Sequence, residues 1–124
     1  MSDRPSAASK TLKIVKLPHN KKVIISKEKI TDYILSKTHA TGKFKAIFFH
    51  KAGFDETNAD MLVACLKRLA KTGTVKETSV TPYGKKFVLE GKIKTPAGKS
   101  VGVRTVWIIE SAQKTPRFIT AYPV

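Results

Sequence analysis

Apolar positions along the chain change period once, close to Gly73: before it they recur at helical spacing, after it they alternate. Ser26 is a residue suited to an N-cap, and Ile30, Tyr33 and Ile34 follow at helical spacing, predicting a first helix to about Ser36. Lys43–Ala52, ended by Gly53, predicts a second helix with Phe44, Ile47 and Phe48 on one face. Asp55 opens a third, whose stripe of Met61, Leu62, Cys65, Leu66 and Leu69 is closed by Gly73. Lys37–Gly42 consists of turn formers, and Lys21–Ser26, after Pro18-His19-Asn20, reads as a short strand.

Beyond Gly73 four strands are predicted: Val75–Pro82, Lys85–Ile93, Lys99–Glu110 and Arg117–Pro123. Tyr83-Gly84, Thr95-Pro96-Ala97-Gly98 and Ser111–Pro116 separate them with turn chemistry, and such short connections favour an antiparallel meander. The expected fold class is α+β, with N-terminal helices packed on one face of a four-stranded antiparallel sheet. Residues 11–124 are expected to form one domain. Met1–Lys10 is small and polar, and reads as a disordered lead-in or the remnant of a linker.

Charge changes this picture more than composition does. The 124 residues hold 24 Lys and Arg against 9 Asp and Glu, a formal net charge of +15. Self-repulsion of that size calls for a polyanionic partner, and nucleic acid comes first. A general solubility bias is the plain alternative, since only Arg4, Arg68, Arg104 and Arg117 are arginines. No apolar run approaches a membrane span, and no segment reads as a basic interfacial helix, so no membrane insertion is expected. The lone Cys65 excludes an internal disulfide and a cysteine-based zinc site.

Phosphate-cradling glycine loops, a Gly-x-Ser-x-Gly elbow and metal-ligand clusters are missing from the sequence, so neither metal nor cofactor is expected. The cations, hydroxyls and aromatics present suit RNA cleavage through the 2′-OH. That reaction needs a proton acceptor, a proton donor to the 5′-oxygen and positive charge at the phosphoryl oxygens. Three clusters are candidates. His39 precedes the second helix, whose first turn carries Lys43 and Lys45 against the helix dipole; a solvated basic helix start is the plain reading. Thr105 and Trp107 share one face of a strand, with Arg104 on the other; an arginine in an apolar strand needs a partner or a ligand. Trp107 serves either as core or as a base-stacking surface. Finally, Arg117 opens the last strand, and Thr120 and Tyr122 share a face of it; ordinary strand residues are the alternative.

Helices followed by a four-stranded sheet, Lys43-Phe44-Lys45, Thr105-x-Trp107 and Pro116-Arg117-Phe118-Ile119-Thr120-Ala121-Tyr122 together resemble toxin nucleases of the barnase–EndoU–colicin–RelE superfamily. Within it, the likeness is nearest to colicin D-like tRNA-cleaving domains and the C-terminal toxin domains of contact-dependent systems. Lys21–Val124 also resembles a bacterial domain family of unknown function, with shared Lys-x-Lys-Ala, Tyr-Gly, Val-x-x-x-Trp-Ile-Ile and Pro-Arg-x-x-Thr-x-Tyr landmarks. The resemblance implies that Lys43 and Lys45 bind phosphate and that Thr105 and Trp107 support them. Ala46 stands where the colicin D-like domains have their catalytic histidine, so His39, or else Tyr122 or a lysine, is the candidate for that role.

The expectation is a metal-independent endoribonuclease toxin that cleaves RNA, tRNA by resemblance, to a 2′,3′-cyclic phosphate. It would act in the bacterial cytoplasm, be delivered as the C-terminal part of a larger secreted or surface toxin, and be neutralised by a small acidic immunity protein. His39, Lys43, Lys45, Arg104, Thr105, Arg117, Thr120 and Tyr122 are the expected catalytic set, with Trp107 for binding or stacking. The alternatives are a non-catalytic basic RNA- or DNA-binding module, or an interaction domain for an acidic protein.

Overall fold

The computed structural model describes residues 15–35 and 43–124. Met1–Lys10 and the Lys37–Gly42 loop lie outside the described residues. The expected first helix starts where Ser26 caps it: the Ser26 hydroxyl accepts from the Lys29 amide at 3.4 Å and donates to Glu28 Oε1 at 2.9 Å. Helix α1, Lys27–Lys29, then widens into a π turn over Ile30–Ile34, closed by Leu35 N–H donating to the Ile30 carbonyl at 2.8 Å. Ile30, Ile34 and Leu35 all reach the core.

Helix α2, Lys43–Lys51, ends at Gly53, whose φ of 104° suits glycine. Its buried face differs from the predicted one. Ala46 and Phe49 are buried, Phe48 is half-buried, and Ile47 is 40% exposed. The run Ala-Ile-Phe-Phe is apolar all round, so its period does not choose a side. Phe54 decides it, meeting Phe49 edge-on at 6.4 Å between ring centroids. His50 Nε2 hydrogen-bonds the Leu35 carbonyl at 2.8 Å and ties α2 to the π turn.

Asp55 caps a single 3₁₀ turn, Glu56–Asn58, accepting from the Thr57 amide at 2.8 Å while Asn58 Oδ1 accepts from the Asp55 amide at 2.8 Å. Helix α3, Ala59–Thr72, follows. Leu62, Leu66 and Leu69 are buried as predicted, while Met61 is exposed and Cys65 half-buried at the stripe's margin.

Strands β1 (Thr74–Thr81), β2 (Gly84–Lys94), β3 (Ser100–Glu110) and β4 (Arg117–Pro123) form the expected antiparallel meander in the order β1-β2-β3-β4. At the β1–β2 turn Gly84 has φ 151°, and a Cβ there would lie 2.3 Å from the Ile109 carbonyl oxygen. The strand expected over Lys21–Ser26 is reduced to one parallel bridge, Ile24 to Arg117, with two hydrogen bonds of 2.9 Å. Ser26 starts α1 two residues later and leaves no length for more.

One sheet face carries Phe87, Leu89, Ile93, Val103, Thr105, Trp107, Phe118 and Ala121, all buried with the helix residues. In β4 the register shifts so that Trp107 pairs with Phe118 but Val106 with Thr120, leaving Ile119 as a bulge. Strict alternation from Arg117 would send Thr120 and Tyr122 inward. The bulge instead keeps Phe118 and Ala121 in the core and puts Arg117, Thr120 and Tyr122 on the opposite face.

Candidate active site on the open face of the sheet

The face away from the helices is built in rows across β2, β3 and β4. Glu90, Arg104 and Tyr122 are cross-strand partners in one row; Val88, Val106 and Thr120 form the next; Lys86, Ile108 and Arg117 the third. Period-two alternation places these side chains on one surface, and cross-strand neighbours on a face stand about 5 Å apart at Cβ.

Arg104 Nη2 donates to Glu90 Oε2 in an ion pair, with side chains 41% and 23% exposed. The Glu90 carboxylate raises the guanidinium above its ordinary pKa, chiefly through this hydrogen bond, and Tyr122 adds a smaller contribution in the same direction. Arg104 therefore stays charged across the whole working pH range. Its Nε, and Thr120 Oγ1 on the adjacent row, are the two buried side-chain polar atoms that lack a hydrogen-bond partner among the described residues. Buried polar atoms are nearly always paired, so two orphans on neighbouring rows leave hydrogen-bonding capacity unused at this spot. Two rows away Arg117 Nε donates to Glu110 Oε1 at 3.2 Å. Past Arg117, a cleft of about 550 Å³ is lined by His19, Asn20, Lys21, Lys22, Lys114 and Thr115.

The structure divides the predicted residues. Arg104, Arg117, Thr120 and Tyr122 come together on the open face. Thr105 and Trp107 do not: both are fully buried on the other face, where Trp107 Nε1 donates to Thr105 Oγ1 at 2.8 Å and the indole meets Phe118 edge-on at 5.3 Å. The expectation that Thr105 belongs to the catalytic set and that Trp107 binds or stacks on a base is corrected by this burial. Their pair belongs to the core. Lys45 is half-buried in the first turn of α2, in the helix layer. His39 and the Lys43 side chain lie outside the described residues.

Glu90 is the residue the sequence reading missed. Its signal was the unpaired charge of Arg104 in an apolar strand, but naming the partner required the β2–β3 register. Arg104 is thus not simply reserved for a ligand: one nitrogen serves Glu90 and another is unused.

Among the described residues no three His, Cys, Asp or Glu side chains gather as a metal-binding group, and no helix is long and apolar enough to cross a membrane.

The model of a family described as "Domain of unknown function (DUF6883)" matches residues 16–124. No curated protein sequence matches the chain. In fold, the chain is similar to a chain of a solved contact-dependent growth inhibition toxin–immunity protein complex from Klebsiella pneumoniae 342. The TM-score is 0.64 at 16% identity, covering 82% of this chain and 92% of that one.

Proposed function

The chain belongs to the DUF6883 family, and from that premise we propose that it is an endoribonuclease toxin acting through the open face of its sheet. The observation that carries this reading is the row Glu90–Arg104–Tyr122 with the unpaired Arg104 Nε and Thr120 Oγ1 beside it. A carboxylate, a permanent cation and two hydroxyls are the groups that RNA self-cleavage needs. The fold likeness to a chain of a toxin–immunity complex supports a toxin context, and the charge of +15 fits the partner that binds phosphates rather than the one that neutralises it.

In this mechanism Glu90 accepts the 2′-OH proton as the 2′-oxygen bonds to phosphorus. Arg104 Nε and the Thr120 hydroxyl donate to the phosphoryl oxygens, where charge grows in the transition state. Tyr122 gives its proton to the 5′-oxygen as the P–O5′ bond breaks; afterwards solvent takes the proton from Glu90 and returns one to Tyr122. The products are a 2′,3′-cyclic phosphate and a 5′-OH. Arg117 binds a flanking phosphate on the open face, Lys45 and Lys43 in the helix layer hold more distant phosphates of the same RNA, and His39 is a second candidate for a proton-transfer role. Transfer RNA is the proposed substrate and a small acidic immunity protein the proposed inhibitor. It covers the Arg104 face and associates at a rate that falls with salt. The domain works in the bacterial cytoplasm after delivery at the C-terminus of a larger toxin.

The pairing of Arg104 with Glu90 favours a second reading, in which the row is structural and the basic surface only binds RNA. The purified chain is incubated with total bacterial RNA in EDTA and the ends are mapped. Cyclic-phosphate ends at defined sites support the nuclease. RNA retarded on a gel but never shortened refutes it in favour of the binding module, and cleavage that needs added Mg²⁺ refutes the metal-independent mechanism.

A further inference from the structure

β1 pairs with β2 only as far as Thr74 opposite Glu90, so beyond Glu90 β2 keeps β3 on one side and borders α3 on the side β1 has left. Gly91 lets the helix close in: a Cβ there would lie 3.2 Å from Leu69 Cγ. Cys65 Sγ donates to the Lys94 carbonyl at 3.4 Å and joins the two walls. Between them runs a groove of about 1080 Å³. Lys67, Arg68 and Lys71 stand on its helix wall, Lys92 and Lys94 on its strand wall, and among the described residues no acidic side chain lines it.

We propose that this groove is a second nucleic-acid site, which holds the phosphodiester backbone of the RNA that Arg104 engages. It rests on the proposed function for the identity of that RNA. Two features select a polyanionic chain over a single anion. The cations do not converge on one point: Lys67 and Lys71 are about 6 Å apart along the helix axis, and Lys92 and Lys94 about 7 Å apart along the strand. They also lead toward the catalytic face, because Lys92 sits one row beyond Glu90. In that row its β3 partner is Gly102, whose missing side chain leaves the passage low: a Cβ there would meet nothing nearer than Val124 at 3.7 Å. A continuous backbone spans both places, whereas a folded acidic partner has no need to enter a concave groove at the sheet's end.

Cys65 is the chain's one cysteine and lines the groove, so it reports on occupancy. Burial pushes its thiol up, and alkylation is therefore run at alkaline pH. The probe is a single-stranded oligodeoxynucleotide, which lacks the 2′-OH and cannot be cut; polyglutamate is the competitor of the other class. The oligodeoxynucleotide is expected to slow Cys65 alkylation at least severalfold. In the Lys67→Ala/Arg68→Ala/Lys71→Ala variant, whose changes are all at exposed helix positions, its binding should weaken at least tenfold. The slope of log affinity against log salt should flatten by about 2, three fewer contacts on a single strand. The same variant should raise KM for long RNA and leave cleavage of a dinucleotide unchanged.

Alkylation at the same rate with and without the oligodeoxynucleotide, or protection by polyglutamate alone, overturns the inference and makes the groove a protein surface. An unchanged salt slope overturns it too. If Cys65 is protected and the slope flattens while neither RNA substrate is cut, the groove stands as a nucleic-acid site and the nuclease reading is what fails.

Discussion

Replacing Glu90 by Gln separates a proton acceptor from a mere charge partner. Gln keeps the length and one acceptor oxygen, so the hydrogen bond from Arg104 Nη2 survives, but it cannot take the 2′-OH proton. The pair is partly solvent-exposed, at 41% and 23%, so its loss of charge should move the thermal midpoint little. Catalysis should respond differently, since removal of a general base costs about 10²–10⁴-fold in rate. The variant is therefore expected to unfold near the wild-type temperature, to bind RNA at least as tightly, and to cleave at ~1% of the wild-type rate or less. Tighter binding follows because Arg104 no longer shares its charge with a carboxylate. The assay is single-turnover cleavage of an end-labelled RNA with a separate filter-binding isotherm on a 2′-deoxy analogue. A folded variant that cleaves as fast as wild type refutes the assignment of Glu90 as base and leaves it as the anchor of Arg104.

Arg104→Ala should keep the fold and lose about 10²–10³-fold in cleavage, as when a transition-state donor is removed; near-normal cleavage by the folded variant assigns Arg104 to structure. Trp107→Phe should cost about 1–3 kcal/mol of stability, because Thr105 Oγ1 loses its buried donor, and should leave cleavage per folded molecule unchanged. Because the indole is fully buried, the emission of this lone tryptophan should be blue-shifted and insensitive to added RNA; quenching by RNA would return it to a stacking role. Asp55 has its carboxyl lowered from 3.8, first by the Thr57 hydroxyl and then by the Thr57 amide. A carboxylate with a depressed folded pKa contributes stability above its unfolded value and loses it as pH falls through the folded one. Asp55→Asn should flatten the fall in thermal midpoint below pH 3.8, and an unchanged acid limb would refute the cap's role.

Much of the architecture is legible in the sequence because it depends on local periods. Alternation after Gly73 specifies strands, short turns specify a meander, and period two puts Arg104 opposite Thr105 and Trp107. Ser26, Gly53, Asp55 and Gly73 mark helix ends through capping and turn chemistry that involve only near neighbours.

What only the tertiary structure decided is everything that joins distant residues. The Ala46–Phe49 run of helix α2 is apolar on all sides, so Phe54 and the core, not its own pattern, chose the face of Ala46 and Phe49. Trp107 became core because Phe118 and Thr105 close over it, and no local rule separates that outcome from a stacking surface. The site itself depends on register. Glu90 meets Arg104 because the β2–β3 turn sets the cross-strand pairing, and the Ile119 bulge carries Thr120 and Tyr122 to the face that Arg117 already occupies. A side-chain period is a property of a strand alone, but register and bulges are settled by two strands burying their apolar faces together.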